Sequence, residues 1–483
     1  MPTRTLRNLV DGAWVAGKGA NTVHDPYTGA EVGRVALATP EQVEAALAAA
    51  WRDREALART PSRLRAELLT RVRIRLERDA GAIAGLICME AGKPITLARG
   101  EVQRGLETLR LSAEEARRLT GEYIPLDLVP GADGYHGVVR RVPRGPATAL
   151  WPFNFPLNLL LHKLGPALAA GCPVLMRPPS ATPLTGHRVA RYLHEERTAL
   201  GLPAGIAAYL SSTHAVAAPL IDDARVKALS FTGSDSVGWE LRRRAYRKQV
   251  MLELGGQASM IVEPDAPDMP FAAKRAALGA FAYAGQVCIS IQRLMVNRKV
   301  WDKFMPLFLA EVAALKTGDP HDPHVFVGPV IDDAAAERIA AWVDEALSKG
   351  AVLLSGERPK PRLFTPHMLE RVKSSTQLGC NEVFGPVVVL EPYREFADAI
   401  AMTNASRFGL QTGVFTRDVD KALRAWRDVE VGALIVNDYP MFRVDHMPYG
   451  GVKDSGFGRE GVRYAIAEYT EPRLMAIRET PQP

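Results

Sequence analysis

Ala147-Thr-Ala-Leu-Trp151, Pro173-Val-Leu-Met176, Ile206-Ala-Ala-Tyr-Leu210, Lys227-Ala-Leu-Ser-Phe231 and Gln249-Val-Met-Leu-Glu253 are five short apolar runs within residues 147–253. Each has the length of a strand and is too short for an ordinary helix. The intervening stretches, at about 157–170, 184–200, 215–222 and 236–247, carry helical spacing. Strands alternating with helices predict a parallel, doubly wound sheet. Such sheets bind ligands beyond the carboxyl ends of their strands. Asn154, Arg177, Gly233 and Glu253 all stand at or just after such an end.

Outward from this core, a second alternating region predicts strands at 259–262, 292–297, 351–354, 386–390, 412–415 and 432–436, with helices between them. The fold class is therefore α/β with two doubly wound domains. Upstream, Thr39-Pro-Glu-Gln42 is a helix start, with a Thr cap, Pro at the first turn and Gln three residues on. A second helix is expected from Thr60-Pro61 to Ala91, closed by Gly92, and a third from Pro94 to about Leu119. Residues 122–144 turn β-like and suit a protruding strand pair.

The chain has 483 residues, enough for two or three domains. Its 47% apolar and 24% charged content is that of an ordinary globular protein. No apolar run would span a bilayer, and the first residues lack the apolar core of a signal peptide, so a cytoplasmic location is expected. Four scattered cysteines, Cys88, Cys172, Cys288 and Cys380, show no metal spacing, so reduced thiols and no metal are expected. The net charge of +6 is spread along the chain. Its densest run, Leu241-Arg-Arg-Arg-Ala-Tyr-Arg-Lys248, reads as a solvated face, so neither nucleic acid nor membrane is expected as a partner.

Three motifs carry chemistry: Trp151-Pro-Phe-Asn-Phe-Pro156, Leu252-Glu-Leu-Gly-Gly256 and Gly285-Gln-Val-Cys288. They offer an amide donor, a carboxylate base and a thiolate nucleophile, the parts of acyl chemistry through a thioester. Cys288 stands in a glycine-containing turn that suits an exposed thiolate. Glu253 stands in an apolar stretch that raises a carboxyl toward neutrality, as a general base requires. Phe231-Thr-Gly-Ser-Asp-Ser-Val-Gly238 follows a strand without forming the usual dinucleotide fingerprint; Gly233 permits a sharp turn, and Ser234 can cap a helix whose N-terminus suits a phosphate.

Together these motifs closely resemble the aldehyde dehydrogenase superfamily, over about residues 8–475. The resemblance implies Cys288 as nucleophile, Asn154 with the Cys288 backbone N–H as oxyanion donors, and Glu253 as the base that hydrolyses the thioester. It implies NAD or NADP as cofactor, held by Trp151, Pro152, Phe153, Gly233, Ser234 and Gly238, by Leu254 and Gly255, and by Glu382 and Phe384 of Glu382-Val-Phe-Gly-Pro386. Arg177 and Ser180 replace the family's usual ribose-binding lysine and glutamate, which implies that NADP is tolerated. Asn437, Pro448-Tyr-Gly-Gly-Val-Lys-Asp-Ser-Gly456 and Gly458-Arg-Glu-Gly461 resemble the C-terminal signature; its glycines read as serving backbone geometry. The implied domains are a Rossmann-type coenzyme domain (1–123 and 144–252), a catalytic domain (253–463) and an oligomerisation arm (124–143 and 464–483), giving a homodimer or homotetramer.

Four basic residues, Arg104, His162, Arg293 and Arg443, point to a small anionic aldehyde. They resemble the subgroup of phosphonoacetaldehyde, lactaldehyde and non-phosphorylating glyceraldehyde-3-phosphate dehydrogenases. The alternatives are a CoA-acylating dehydrogenase, against which Glu253 argues, a broad-range enzyme for neutral aldehydes, and a catalytically idle relative.

Overall fold

A computed structural model describes residues 5–479. The first four residues of the expected coenzyme domain and the last four of the expected arm lie outside the described residues. The strands read from the sequence at 147–253 form the centre of an eight-stranded sheet. From one edge inward it runs Ala13–Val15, Asn8–Val10, Ala207–Tyr209, Val174–Arg177, Ala147–Leu150, Ala228–Thr232, Gln249–Glu253 and Gly456–Phe457. The five strands read from the sequence are mutually parallel. The winding reverses between Ala147–Leu150 and Ala228–Thr232, which opens a crevice at their carboxyl ends.

Register places the key residues side by side. Leu150 pairs with both Arg177 and Phe231, and Thr232 pairs with Glu253. Arg177, Trp151, Gly233 and Glu253 therefore emerge at one end of the sheet. The segment Gly456–Phe457 adds antiparallel beside Glu253, carrying the C-terminal signature onto this sheet.

The second sheet has seven strands, in the order Val352–Ser355, His367–Glu370, Val387–Tyr393, Ile291–Asn297, Ala258–Val262, Gln411–Phe415 and Ala433–Val436. All but the first run parallel. Gly255-Gly256 leads from the carboxyl end of the first sheet to the amino end of the second. Cys288, Glu382 and Arg407 precede strands of the second sheet, so they stand at its amino ends, facing the first sheet's carboxyl ends. The chain thus has the two-domain α/β fold. Thr470–Arg478, Tyr135–Pro143 and Glu122–Pro125 form a separate antiparallel three-stranded arm.

Local chemistry explains the helices. Thr39 caps Pro40–Arg59 in a reciprocal capping box with Gln42, an interaction worth ~1 kcal/mol. The expected helix to Ala91 is two, Ser62–Arg78 and Ala80–Ala91. Asp79 leaves helical geometry between them, and its carboxylate accepts from Tyr192 and Arg188. The stretch 215–222 is likewise broken before Pro219, which has no N–H to donate. The strand His367–Glu370 and the N-terminal strands Asn8–Val10, Ala13–Val15, Ala20–His24 and Glu31–Ala36 were not legible as separate elements. Within the basic run 241–248, Arg243 pairs with Glu240, Arg244 with Asp222, and Arg242 lies on the Phe457 ring. Among the described residues no helix is long and apolar enough to cross a membrane.

Candidate active site

Glycines lock the three motifs together. A Cβ on Gly256 would lie 2.3 Å from the Cys288 carbonyl, one on Gly285 would lie 2.0 Å from the Gly385 carbonyl, and one on Gly255 would lie 2.7 Å from a Glu382 oxygen. The Glu253 loop, the Cys288 turn and the Glu382 loop thus touch at distances only glycine permits. To reach this position the chain leaves the helix Met269–Phe281 earlier than its sequence spacing predicts. Tyr283, Ala284 and Gly285 then take positive φ. Buried Gln286 fixes the turn, accepting from Ile331 N–H and donating to the Pro329 and Tyr283 carbonyls.

The Asn154 turn is secured from below. Glu101 accepts the N–H groups of Leu157 and Asn158 at 2.9 and 3.1 Å, satisfying the start of the helix Asn158–Ala170. Buried Lys93 neutralises Glu101, and its ammonium lies 3.6 Å from the Phe155 ring centroid and 4.8 Å from that of Tyr283. One cation therefore braces both the Asn154 turn and the Cys288 turn. Asn154 Nδ2 donates to the Gln286 carbonyl at 2.8 Å, leaving its second N–H for another acceptor.

Asn154, Glu253 and Cys288 line one cleft of about 430 Å³. Pro152, Phe153, Gly233, Ser234, Leu254, Gly255, Glu382 and Phe384 line it too. Trp151, Arg177, Ser180 and Gly238 lie outside that lining. Trp151 is a buried wall against Gly186, and Gly238 is a packing glycine whose Cβ would meet Leu254 at 2.3 Å. Arg177 donates to the Ser212 carbonyl, and its Nε is buried without a partner. Ser180 is exposed, and its carbonyl accepts from Asn21.

Cys288 is partly exposed, and burial pushes its thiol up to about 12, against its hydrogen bond with Tyr449 at 3.1 Å. Burial, and then repulsion from Glu460, hold the Glu253 carboxyl well above its usual range, and its Oε2 has no hydrogen-bond partner. Burial pushes Glu382 up to about 8, against the Gly256 N–H it accepts at 2.9 Å. Against burial, Lys163 foremost holds Glu460 down at about 2; its ammonium lies 2.8 Å from that carboxylate and also reaches Ser230 and Thr232.

Three of the four basic candidates gather behind Cys288. Arg443 is buried, bonded to Glu460 at 3.2 Å and laid 3.6 Å from the Tyr449 ring centroid. Asp445 accepts from Arg104 at 2.7 Å and contacts His162 Nε2 at 2.8 Å. Burial, and then Arg443, lower the His162 pKa, against its contact with Asp445. Arg293 does not join them. It forms a paired salt bridge with Glu391, donates to the Met402 carbonyl and lines a different cleft.

Several participants were missed in the sequence. Lys163 was detectable as a charge inside the apolar run Leu159-Leu-Leu-His-Lys-Leu164. Tyr449 and Glu460 stood within the C-terminal signature, of which only the glycines were given a role. Arg407, on the cleft rim, bonds Asp235 at 2.6 Å, Asp454 at 3.0 Å and Asn381 at 2.9 Å. No local pattern marked it.

The site's parts fit a dinucleotide. Ser234 begins the helix Asp235–Arg244 with no side-chain cap bond, so that helix end keeps free N–H groups. Trp151 Nε1 and Arg177 Nε are buried without partners, and Gly255 leaves room for the Glu382 carboxylate.

Comparison with known proteins agrees. The chain is 38% identical over 470 residues to a 3-sulfolactaldehyde dehydrogenase of Priestia aryabhattai, covering 97% of each. It matches the structure of aldehyde dehydrogenase 21 from Physcomitrella patens, in complex with the reaction product succinate, with a TM-score of 0.96, 38% identity and 99% of each chain covered. The glyceraldehyde-3-phosphate dehydrogenase GapN from Methanocaldococcus jannaschii, complexed with NADP, gives a TM-score of 0.91 at 34% identity, over 95% of this chain and 99% of that one. Residues 14–475 match the aldehyde dehydrogenase family. With Cys288, Asn154 and the buried Glu253 gathered in one cleft, and this match along nearly its whole length, the chain belongs to the aldehyde dehydrogenase family.

Proposed function

We propose that the protein oxidises a small anionic aldehyde to its carboxylate with NAD or NADP, through a thioester on Cys288. The observation that carries this reading is the meeting of Asn154, Glu253 and Cys288 in the cleft that Glu382 also lines. Cys288 sulfur attacks the carbonyl carbon, and the C=O π electrons move onto oxygen. The free Asn154 N–H and the Cys288 backbone N–H receive that oxyanion. The nicotinamide, when bound, supplies the hydride acceptor. Glu253 takes a proton from the water that attacks the thioester carbonyl, and the carboxylate leaves as the C–S bond breaks.

Two lines support an anionic substrate. Lys163 and Arg443 are buried cations behind Cys288 that share one paired carboxylate, Glu460. Two cations on one carboxylate favour an anion in the cleft. The named relatives act on 3-sulfolactaldehyde or glyceraldehyde 3-phosphate, or hold succinate as product. NAD(P)H formation across neutral, aromatic, carboxylated, sulfonated and phosphorylated aldehydes tests the reading. Equal kcat/KM for propanal and the anionic compounds would refute the substrate class. Faster turnover on adding coenzyme A would favour the acylating alternative.

For the coenzyme, no carboxylate among the described residues pairs with Arg177, and Ser180 adds no charge. A 2′-phosphate meets no repulsion there, which supports use of NADP. Ser180→Glu is expected to shift preference strongly toward NAD. The arm exposes Leu474 and Met475 on a strand with one free edge, which supports its role in joining subunits into a homodimer or homotetramer. Light scattering of a chain truncated after Tyr469 tests this.

A further inference from the structure

Tyr449 is almost wholly buried, at 3% exposure, and its hydroxyl has one hydrogen-bond partner among the described residues: Cys288 Sγ, at 3.1 Å. A buried phenol is normally hydrogen-bonded, so this oxygen is committed to the nucleophile. The ring cannot turn away. Its backbone exchanges both hydrogen bonds with Glu460, at 3.0 and 2.7 Å, and the Arg443 guanidinium lies 3.6 Å from its ring centroid. Glu460 also bonds that guanidinium at 3.2 Å. Backbone, ring face and hydroxyl are each fixed by a separate contact.

We propose that Tyr449 is a catalytic residue of this enzyme, whose hydroxyl donates to Cys288 Sγ and sustains the thiolate until it attacks. While the thiol is intact, either group can donate. Once the S–H bond breaks and its proton leaves to solvent along the cleft, sulfur can only accept and the O–H must donate. The hydroxyl keeps its own proton, because burial suppresses phenol ionisation. When the S–C bond forms, the sulfur charge is consumed and the hydrogen bond weakens.

The proposal rests on Cys288 being the nucleophile, and the test separates the two claims. Iodoacetamide alkylation is followed from pH 6 to 9 in a Cys380→Ser background, since Cys380 is the exposed thiol and Cys88 and Cys172 are buried. Tyr449→Phe keeps the ring against Arg443 and removes one oxygen, so it can only widen access to sulfur. A slower alkylation therefore reports lost thiolate. Alkylation is expected to slow about tenfold at each pH, the loss of one charge-assisted hydrogen bond, with Tm unchanged. Rates equal to or above the parent's would overturn the proposal. Aldehyde oxidation surviving in Cys288→Ala would instead overturn the nucleophile assignment and leave the alkylation comparison readable.

Discussion

Gly450→Ala tests how tightly the base is held. A Cβ at position 450 would lie 2.9 Å from Glu253 Oε1, 2.9 Å from Arg459 Cδ and 2.9 Å from the Gly458 carbonyl. Ordinary contact begins near 3.4 Å, so the overlap is about 0.5 Å. The loop cannot back away, because the Gly450 carbonyl is itself packed on Gly432, where a Cβ would lie only 1.7 Å from it. The soft neighbours are the Glu253 and Arg459 side chains, and Glu253 must yield with them. A 1 Å misplacement of a catalytic group can cost ~100-fold, so half that displacement is expected to slow deacylation ~10-fold, or about 1.4 kcal/mol. Stopped-flow NAD(P)H absorbance should show a burst of one equivalent per site at the parent's rate, followed by a steady state about tenfold slower. The shorter carboxylate of Glu253→Asp relieves the overlap at residue 253 but leaves the Gly458 carbonyl contact and the positive φ of position 450, so the further deacylation loss caused by Gly450→Ala should be smaller in that background while any loss of Tm stays the same. Native steady-state turnover with unchanged Tm, or loss of the burst with normal deacylation, would refute the reasoning.

Arg407→Ala leaves Asp235 and Asp454 unanswered on the rim where the coenzyme's phosphates approach a helix N-terminus, so coenzyme Kd, read by fluorescence titration, should rise about fivefold, roughly 1 kcal/mol for a half-exposed charge. Asp235→Asn should lower Kd; equal weakening by both would show that the bridge only holds the fold. Cys288 and Glu253 both react in their deprotonated forms and both have raised pKa values, so burst rate and turnover should climb as pH rises from about 6 to 9; a flat profile would show a nucleophile already ionised at neutrality. Arg104→Ala should lower kcat/KM for sulfonated or phosphorylated aldehydes roughly tenfold and spare propanal, whereas Arg293→Ala, breaking the Glu391 pair away from the cleft, should affect charged and neutral aldehydes alike.

What could be read from the sequence follows from the range of the forces involved. The central strands were legible because a parallel strand buried on both faces is a continuous apolar run with sharp ends. Asn154, Glu253 and Cys288 were legible because each sits in a motif whose neighbours are fixed by backbone contacts, and the glycines among them are visible as letters. Arg293 was misplaced because five residues past the nucleophile reads as near it, whereas the strand Ile291–Asn297 carries the side chain away from the cleft to Glu391, nearly a hundred residues on. The partners that shift the Cys288 thiol were not legible for the same reason: the hydrogen bond with Tyr449 and the charge of Glu382 come from segments far apart in sequence. The break at Asp79 depends on Tyr192 and Arg188, which no helical periodicity around residue 79 could reveal.

The resting electrostatics also order the chemistry. Cys288 and Glu253 face the same cleft; beyond burial and Glu382, Glu253 when ionised pushes the Cys288 thiol further up. Two anions there would repel each other in a medium that screens poorly, so ionising one opposes ionising the other. Arg443 favours the charged form of both, but Glu460 answers its charge and repels Glu253. Tyr449 bonds sulfur and has no bond to Glu253. On the proposed mechanism, acylation turns the thiolate into a neutral thioester, which removes one source of repulsion on Glu253, so its carboxyl ionises more readily. The base therefore becomes available as its substrate, the thioester, comes into existence.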